Sequence, residues 1–321
     1  MVKIDLVTGF LGAGKTTFIR NYTEYLLSQG ERICILENDY GAINVDMMLL
    51  ADLKEKGVGI EMVAGGCDYD CHRRRFKTKL ITMAMLGYTR VIVEPSGIFD
   101  VDEFFDILHE DPLYDRYEIG SILTILRADF PAKASPETDY LLGSQAACAG
   151  LVILSHAGEV PTEREQETID HLNRALEGIR CKRLFALGEN VLSKPWSQMT
   201  EEDWNKTAAS GYRETAFEKQ FSMDENGFQS LFFMNLHHPF EELTGKIRAL
   251  YADPSAGKIQ RIKGFARDAA GNWLEINATP NQMQTRPIPE GQDVIIVIGE
   301  ELAEEVIDRY FPAKYSTTHV R

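Results

Sequence analysis

Cysteines are scarce in this sequence, and long apolar runs are missing. The five cysteines are odd in number and spread over 321 residues, a usage that fits a reducing compartment better than a disulfide-stapled fold. Apolar runs such as 294–298 fall well short of the roughly 18 residues that span a bilayer. The N-terminal segment lacks the pattern of a secretion signal. We therefore expect a cytoplasmic protein with no membrane partner.

Basic residues are also in deficit. The chain has 34 Lys and Arg against 49 Asp and Glu, for a net charge of -15. Such a surface repels a phosphate backbone unless a local basic patch overrides it, which disfavours nucleic acid as a partner. Hydrophobic residues make up 44% of the sequence, which is ordinary for globular proteins and excludes wholesale disorder. The length allows two domains.

Short β-rich runs alternate with helical patterns over the first two-thirds of the chain. This order is typical of βαβ units, so it predicts an α/β fold with a mostly parallel sheet. The predicted strands are 4–7, 33–36, 91–94, 119–126, 151–154 and 184–186, and the predicted helices are 16–29, 73–86, 101–108, 136–147 and 162–176.

The pattern changes after residue 189. Pro, Ser, Asn, Gly and charged residues dominate up to 227, with one short helix indicated after the cap-like Thr200. Strands at 231–236, around the turn 270–272 and at 294–298, with helices at 239–251 and 301–310, predict a small α+β unit. We therefore predict a first domain over 1–189, a linker over 190–227, a second domain over 228–312 and a tail over 313–321.

The strongest motif spans residues 9–17 and reads G-F-L-G-A-G-K-T-T. It matches G-x-x-x-x-G-K-[ST]. It also lies between a predicted strand and a predicted helix, which is where a phosphate-binding loop of this type is found. Its backbone amides and the helix N-terminus are expected to face a polyphosphate, with Lys15 at the β and γ phosphates and the Thr16 hydroxyl on Mg²⁺. This phosphate loop predicts a P-loop NTPase domain. The predicted contacts are Gly9, Gly12, Ala13, Gly14, Lys15, Thr16 and Thr17.

A second acidic strand end supports this interpretation. The run 90–93 is apolar after its first residue and is followed by Glu94, Pro95, Ser96 and Gly97. A P-loop sheet places a carboxylate at such a point to hold a magnesium-bound water, and Gly97 is positioned in the sequence to offer its N–H to a γ phosphate. Glu37 and Asp39 end the preceding predicted strand, and we expect them in a switch segment that senses the γ phosphate or positions the attacking water.

Four stretches together resemble the CobW/HypB/UreG family of P-loop GTPases, specifically the CobW-like metallochaperones and metal insertases. These are the phosphate loop, E-N-D-Y-G at 37–41, G-G-C at 65–67 and E-P-S-G at 94–97. Residues 231–311 also resemble the CobW C-terminal domain. The resemblance implies a P-loop domain followed by a small α+β domain, GTP as substrate, and a transition metal carried to a client metalloprotein.

Where the family has C-x-C-C, this sequence reads Cys67-Asp68-Tyr69-Asp70-Cys71-His72. Thiolate and imidazole ligands suit Zn²⁺, Co²⁺ or Ni²⁺, and a nearby carboxylate can complete a tetrahedron. Cys67, Cys71 and His72 are therefore candidate metal ligands. The alternative is a pair of ordinary reduced cysteines in a core or loop.

The family reads guanine with N-K-x-D after the strand that corresponds to 151–154. Here that position holds Ser155-His156-Ala157-Gly158, so the carboxylate acceptor is absent. Glu159, next along the chain, is a candidate substitute if the loop shifts. ATP therefore stays open beside GTP, because losing a buried specificity contact weakens discrimination strongly.

These observations predict a Mg²⁺-dependent nucleoside triphosphatase that couples hydrolysis to transition-metal delivery. Two other classes stay open: a nucleotide-dependent switch or adaptor without a transition metal, and a small-molecule kinase. The kinase alternative would use the basic run 73–75 as an anion contact. The oligomeric state is also open.

Overall fold

The computed structural model describes residues 1–39, 50–64, 69–95, 101–218, 228–234, 236, 238–288, 291 and 293–312. These residues form two compact units, the first over 1–39 and 50–218 and the second within 228–312. In the described part of the chain, every helix is too short or too polar to cross a membrane.

The first unit is built on a seven-stranded sheet in the order β3-β2-β4-β1-β5-β6-β7. All neighbouring strands pair in parallel. This confirms the α/β prediction and makes the sheet wholly parallel. The strands are β1 Val2–Thr8, β2 Ile33–Asp39, β3 Gly59–Ala64, β4 Arg90–Pro95, β5 Tyr117–Arg127, β6 Leu151–Ser155 and β7 Val191–Ser193.

The helices of this unit begin where the sequence supplies capping groups. Ser135 accepts a hydrogen bond from the Thr138 amide, with Pro136 at the first helical position, so the observed helix matches the predicted 136–147. Thr200 and Asp203 form a capping box at the start of the short helix indicated after residue 200. The helices are α1 Lys15–Ser28, α2 Tyr69–Met85, α3 Val101–Leu108, α4 Pro136–Ala147, α5 Thr162–Gly178 and α6 Glu201–Ala208.

The core of this unit lies along the central strands. Every residue of β4 and β6 is buried, as expected of parallel strands covered on both faces. In the sequence, both strands are continuous apolar runs, and their polar residues lie at or next to the strand ends. Polar side chains at the carboxyl edge of the sheet are thus fixed in position by the packing beneath them.

Two predictions are corrected in this unit, and one strand was not predicted. The run 184–186 is not a strand, because Leu184 is 71% exposed and the Asn190 side chain bonds to the backbone of residues 184 and 186. The seventh strand is Val191–Ser193, which pairs with β6. Residues 190–218 of the predicted linker 190–227 therefore belong to the first unit, and the predicted bounds of the second domain and the tail remain a proposal. Strand β3 was not predicted.

The second unit is a five-stranded antiparallel sheet in the order β11-β10-β9-β12-β8. Its helices are α7 Phe240–Tyr251 and α8 Glu304–Tyr310. Apolar residues of both helices, including Ile247 and Ile307, pack with strand residues such as Phe233 and Ile262, which gives the small α+β unit that was predicted. The strands are β8 Phe228–Met234, β9 Lys258–Arg267, β10 Trp273–Thr279, β11 Gln282–Pro287 and β12 Val294–Glu300; β11 was not predicted.

Candidate functional site

The phosphate loop connects β1 to α1 at the carboxyl edge of the parallel sheet. Gly9, Gly12 and Gly14 all have positive φ, at 141°, 76° and 92°, a region that favours glycine. At Gly9 a side chain is also excluded by space, since an added Cβ would lie 2.2 Å from the Ile125 carbonyl oxygen. The Ala13 amide donates to the Phe10 carbonyl at 3.1 Å, which closes the loop on itself.

Helix α1 begins at Lys15, directly after the loop. The first amides of a helix have no partner within it and carry a partial positive charge, which makes this point an anion-binding site. Lys15 is only 6% exposed, and its ammonium donates to the Gly9 carbonyl at 3.0 Å. The Lys15 side chain therefore lies against the phosphate loop, where it is predicted to bind phosphate. Thr17 is exposed in the first turn.

Thr16 connects the loop to the second acidic strand end. Its hydroxyl donates to Glu94 Oε1 at 3.1 Å, and Glu94 is 5% exposed at the end of β4. Hydroxyl and carboxylate oxygens are the hard ligands that Mg²⁺ prefers. The donor set at this point therefore fits a magnesium ion.

Glu37 lies beside Glu94 in the sheet. The two residues are direct neighbours in the parallel register of β2 and β4, and Glu37 is 2% exposed. Neighbours in register project to the same face, so two buried carboxylates stand side by side next to the phosphate loop. Asp39 is the last residue of β2. Gly97 lies outside the described residues.

The candidate transition-metal ligands are described only in part, because Cys67 lies outside the described residues. Cys71 is a partly buried thiol in the first turn of α2. His72 is fully buried, and its Nε2 lies 2.7 Å from Asn38 Oδ1. Because a side-chain carbonyl oxygen can only accept, His72 Nε2 carries the proton and donates. Over the described residues, there is no group of three or more metal-ligating side chains.

Asn38 was not singled out from the sequence. It lies between Glu37 and Asp39 on β2, so its bond to His72 joins the strand of the predicted switch segment to α2, the helix that carries Cys71. The signal for it was its place inside E-N-D-Y-G, but only the fold shows its partner.

The residues after β5 and β6 form a charged cluster at the same edge of the sheet. Arg127 ends β5 and makes two bonds of 2.8 Å to the Asp129 carboxylate, which lower the pKa of Asp129 below its ordinary value. Arg127 also lies 3.3 Å from His156 Nε2, and His156 Nδ1 lies 2.9 Å from Glu159 Oε2. Arg127 and Asp129 were not predicted as site residues from the sequence, although both lie within three residues of the end of the predicted strand 119–126.

The basic run after the thiols is engaged by acidic residues. Arg73 and Lys77 both pair with Glu110, at 2.5 and 2.6 Å, and Lys79 pairs with Glu61 at 2.5 Å. The pKa of Glu110 is lowered, most of all by its bond from Lys77. These contacts favour a structural role for Arg73 and Lys77 over the anion contact that a kinase would need.

A wholly parallel sheet, a glycine-rich loop at its carboxyl edge and a helix that starts at Lys15 define a P-loop nucleotide-binding protein. The family model described as CobW/HypB/UreG, nucleotide-binding domain, matches residues 3–184, which is more than half of the chain. The chain therefore belongs to the CobW/HypB/UreG family.

Curated relatives include two zinc chaperones of Escherichia coli strain K12. The chain is 27% identical to YeiR over 52% of its own length and 50% of YeiR, and 27% identical to YjiA over 40% and 41%. It thus spans half or less of the length of these relatives. The crystal structure of Zn(II)-bound YjiA GTPase from E. coli is 17% identical, covers 97% of this chain and 98% of its own, and has a TM-score of 0.35.

Proposed function

We propose that this protein is a Mg²⁺-dependent nucleoside triphosphatase that couples hydrolysis to the delivery of a transition metal to a client metalloprotein. The observation that carries the proposal is the contact between Thr16 and Glu94, which joins the phosphate loop to a buried carboxylate in a donor set suited to Mg²⁺. Family membership and the zinc chaperones among the relatives support GTP as substrate and Zn²⁺ as cargo, with Co²⁺ as a second candidate.

Phosphoryl transfer depends mainly on positioning and on the neutralisation of charge. In this proposal, the amides of the phosphate loop and Lys15 hold the phosphates, while Thr16 and Glu94 hold the magnesium ion. Magnesium would neutralise charge on the phosphate oxygens when bound. Glu37 and Asp39, at the end of β2, would sense the γ phosphate or orient the attacking water.

The link between nucleotide and cargo is proposed to run through β2. Asn38 follows Glu37 on this strand and bonds to His72, one residue after the candidate ligand Cys71. A movement of β2 on loss of the γ phosphate would therefore be transmitted to the helix that begins beside the thiols. Zinc affinity that is identical in the triphosphate-bound and diphosphate-bound protein would contradict this coupling.

The nucleotide part of the proposal is tested with Lys15→Ala. Removing one partner of a close charge pair in a binding site costs about 2–5 kcal/mol, which is a loss of affinity on the order of 30-fold to several thousandfold. Calorimetric titration with GTP and with ATP, each with and without Zn²⁺ or Co²⁺, gives nucleotide affinity and metal coupling together. Free phosphate is measured alongside to separate hydrolysis from transfer to an acceptor.

The matched control is Lys182→Ala, which removes the same charge from an exposed position. We expect the control to bind and hydrolyse nucleotide like the wild type, with both variants keeping the wild-type unfolding temperature within a few degrees. Unchanged turnover in Lys15→Ala would refute the mechanism. A phosphorylated small molecule in place of free phosphate would favour a kinase.

A further inference from the structure

The loop that follows β6 lies against the phosphate loop. Ser155 ends β6, and a Cβ added to Gly14 would lie 3.5 Å from the Ser155 Cβ, so the end of β6 comes to within about one side-chain carbon of contact with the phosphate loop. Ligands of open parallel sheets bind over the carboxyl ends of the strands. A nucleotide with its phosphates on residues 9–17 therefore has this loop within reach of its base.

The loop after β6 is held in one conformation. His156 has a φ of 56°, and the Glu159 amide donates to the His156 carbonyl at 3.1 Å, which forms a tight turn. The Gly158 amide donates to Glu165 Oε1 at 3.3 Å, and Glu165 is buried in α5. These hydrogen bonds fix the backbone of the turn from which the Glu159 side chain projects.

The direction of the hydrogen bonds in the charged cluster follows from its chemistry. Arginine can only donate, so His156 Nε2 accepts from Arg127 and His156 Nδ1 must carry the proton. The Nδ1–H group then donates to Glu159 Oε2 at 2.9 Å. A continuous chain therefore runs from Asp129 through Arg127 and His156 to Glu159, and it ends on a carboxylate.

Glu159 is the end of this chain that faces solvent. Its side chain is 66% exposed, against 20% for His156, and His156 occupies only Oε2. The second oxygen, Oε1, has no hydrogen-bond partner within the part of the chain that the structure describes. The chain of bonds therefore presents an acceptor-only group at the edge of the sheet beside the phosphate loop.

We propose that Glu159, held by His156 and Arg127, is the residue that selects guanine over adenine in the bound nucleotide. This inference rests on the proposed nucleotide binding at residues 9–17. The Watson–Crick edge of guanine carries two adjacent donors, N1–H and the N2 amino group, which match a carboxylate. Adenine presents the N1 lone pair at the corresponding place, and two acceptors facing each other repel.

Position 158 cannot supply the carboxylate itself. Gly158 has a φ of 79°, and a Cβ there would lie 3.2 Å from Pro195 Cγ, so Pro195 crowds the space where a side chain would go. An acceptor in this loop has to come from a neighbouring residue, and Glu159 is the adjacent residue whose carboxylate is already oriented by a bond.

The test is the affinity of the full chain for GDP, ADP and xanthosine diphosphate, measured by calorimetry for the wild type and Glu159→Gln. Glutamine keeps an oxygen that accepts from His156, so the loop should keep its structure. We expect the wild type to bind GDP at least tenfold tighter than ADP. Glu159→Gln should lose about tenfold or more in GDP affinity, keep its ADP affinity within twofold and gain affinity for xanthosine diphosphate, whose C2 carbonyl suits an amide donor.

Glu163→Gln removes the same charge from an exposed position four residues on and should leave all three affinities unchanged. His156→Ala tests the positioning role of the imidazole and should lower the ratio of GDP to ADP affinity without changing ADP binding. Equal binding of GDP and ADP by the wild type, or an unchanged ratio of GDP to ADP affinity in Glu159→Gln, would overturn the assignment of Glu159. The proposed function would not be affected by either result. Binding of neither nucleotide by the wild type would overturn the proposed function and this inference with it.

Discussion

Replacement of Gly9 by alanine is the sharpest test of the phosphate-loop geometry. Gly9 has a φ of 141° and an added Cβ would lie 2.2 Å from the Ile125 carbonyl oxygen, a backbone atom of the adjacent strand that cannot turn aside. Gly30 offers a matched control, since its φ is 82° but an added Cβ meets nothing within 4 Å. Both substitutions force an alanine to a positive φ, and only Gly9→Ala adds a steric clash.

The expected costs follow from these two contributions. A residue forced into a sparsely populated backbone region costs about 1–3 kcal/mol, and overpacking costs a further 1–3 kcal/mol. Gly9→Ala should therefore destabilise the first unit by about 2–6 kcal/mol, and Gly30→Ala by about 1–3 kcal/mol. A typical domain has about 5–15 kcal/mol in total, so Gly9→Ala approaches the limit of folding.

Urea unfolding followed by tryptophan fluorescence measures this difference. Two of the three tryptophans, Trp196 and Trp204, pack on Phe18 in α1, with ring centroids at 5.5 and 5.9 Å, so the signal reports mainly on the first unit. Gly9→Ala should also lose nucleotide affinity, because the clash displaces the carbonyl that accepts from Lys15. Equal unfolding midpoints for Gly9→Ala and Gly30→Ala would refute the reasoning.

Two further predictions concern charge. Glu94→Gln keeps an oxygen that accepts from Thr16 but removes the carboxylate charge, so Mg²⁺-dependent phosphate release should fall on the order of 100-fold while nucleotide binding without Mg²⁺ persists; wild-type turnover across a magnesium titration would contradict this. Bonds from Lys194 and from the Thr200 amide lower the pKa of Asp203 from 3.8 to about 2. A carboxyl group whose pKa is lowered by folding stabilises the fold at pH values above its pKa in the unfolded chain. This stabilisation is lost as the pH falls towards the pKa in the folded protein. The difference in unfolding temperature between wild type and Asp203→Ala should therefore be constant above about pH 5 and shrink between pH 4 and pH 2; a difference that does not change over that range would count against the contact with Lys194.

The second unit contributes no residue to these predictions. Its sheet and helices have their own apolar core, and the proposed chemistry uses only residues of the first unit.

Local pattern in the sequence was enough to define the class of fold and the phosphate loop. The phosphate loop is a single local turn that includes the glycines at 9, 12 and 14 and the lysine at 15. Because these residues are close together in the chain, their spacing alone is enough to predict a phosphate-binding site. Helices α3 and α4 have the predicted bounds, and in α4 the capping groups are adjacent in sequence. Strands β3 and β7 were missed because neither forms a clear apolar run: β3 reads G-I-E-M-V-A and β7 has only the three residues V-L-S.

Only the tertiary structure decided which side chains meet. The register of β2 against β4 sets Glu37 beside Glu94, and the packing of α2 brings His72 to Asn38. The chain from Asp129 to Glu159 joins the ends of two strands. The bonds of His156 to Arg127, His72 to Asn38 and Thr16 to Glu94 join residues 29, 34 and 78 positions apart, so they depend on strand order and helix packing, which no local periodicity contains. For that reason, Glu37, Glu94 and His72 could be identified as candidates from the sequence, but their partners could not.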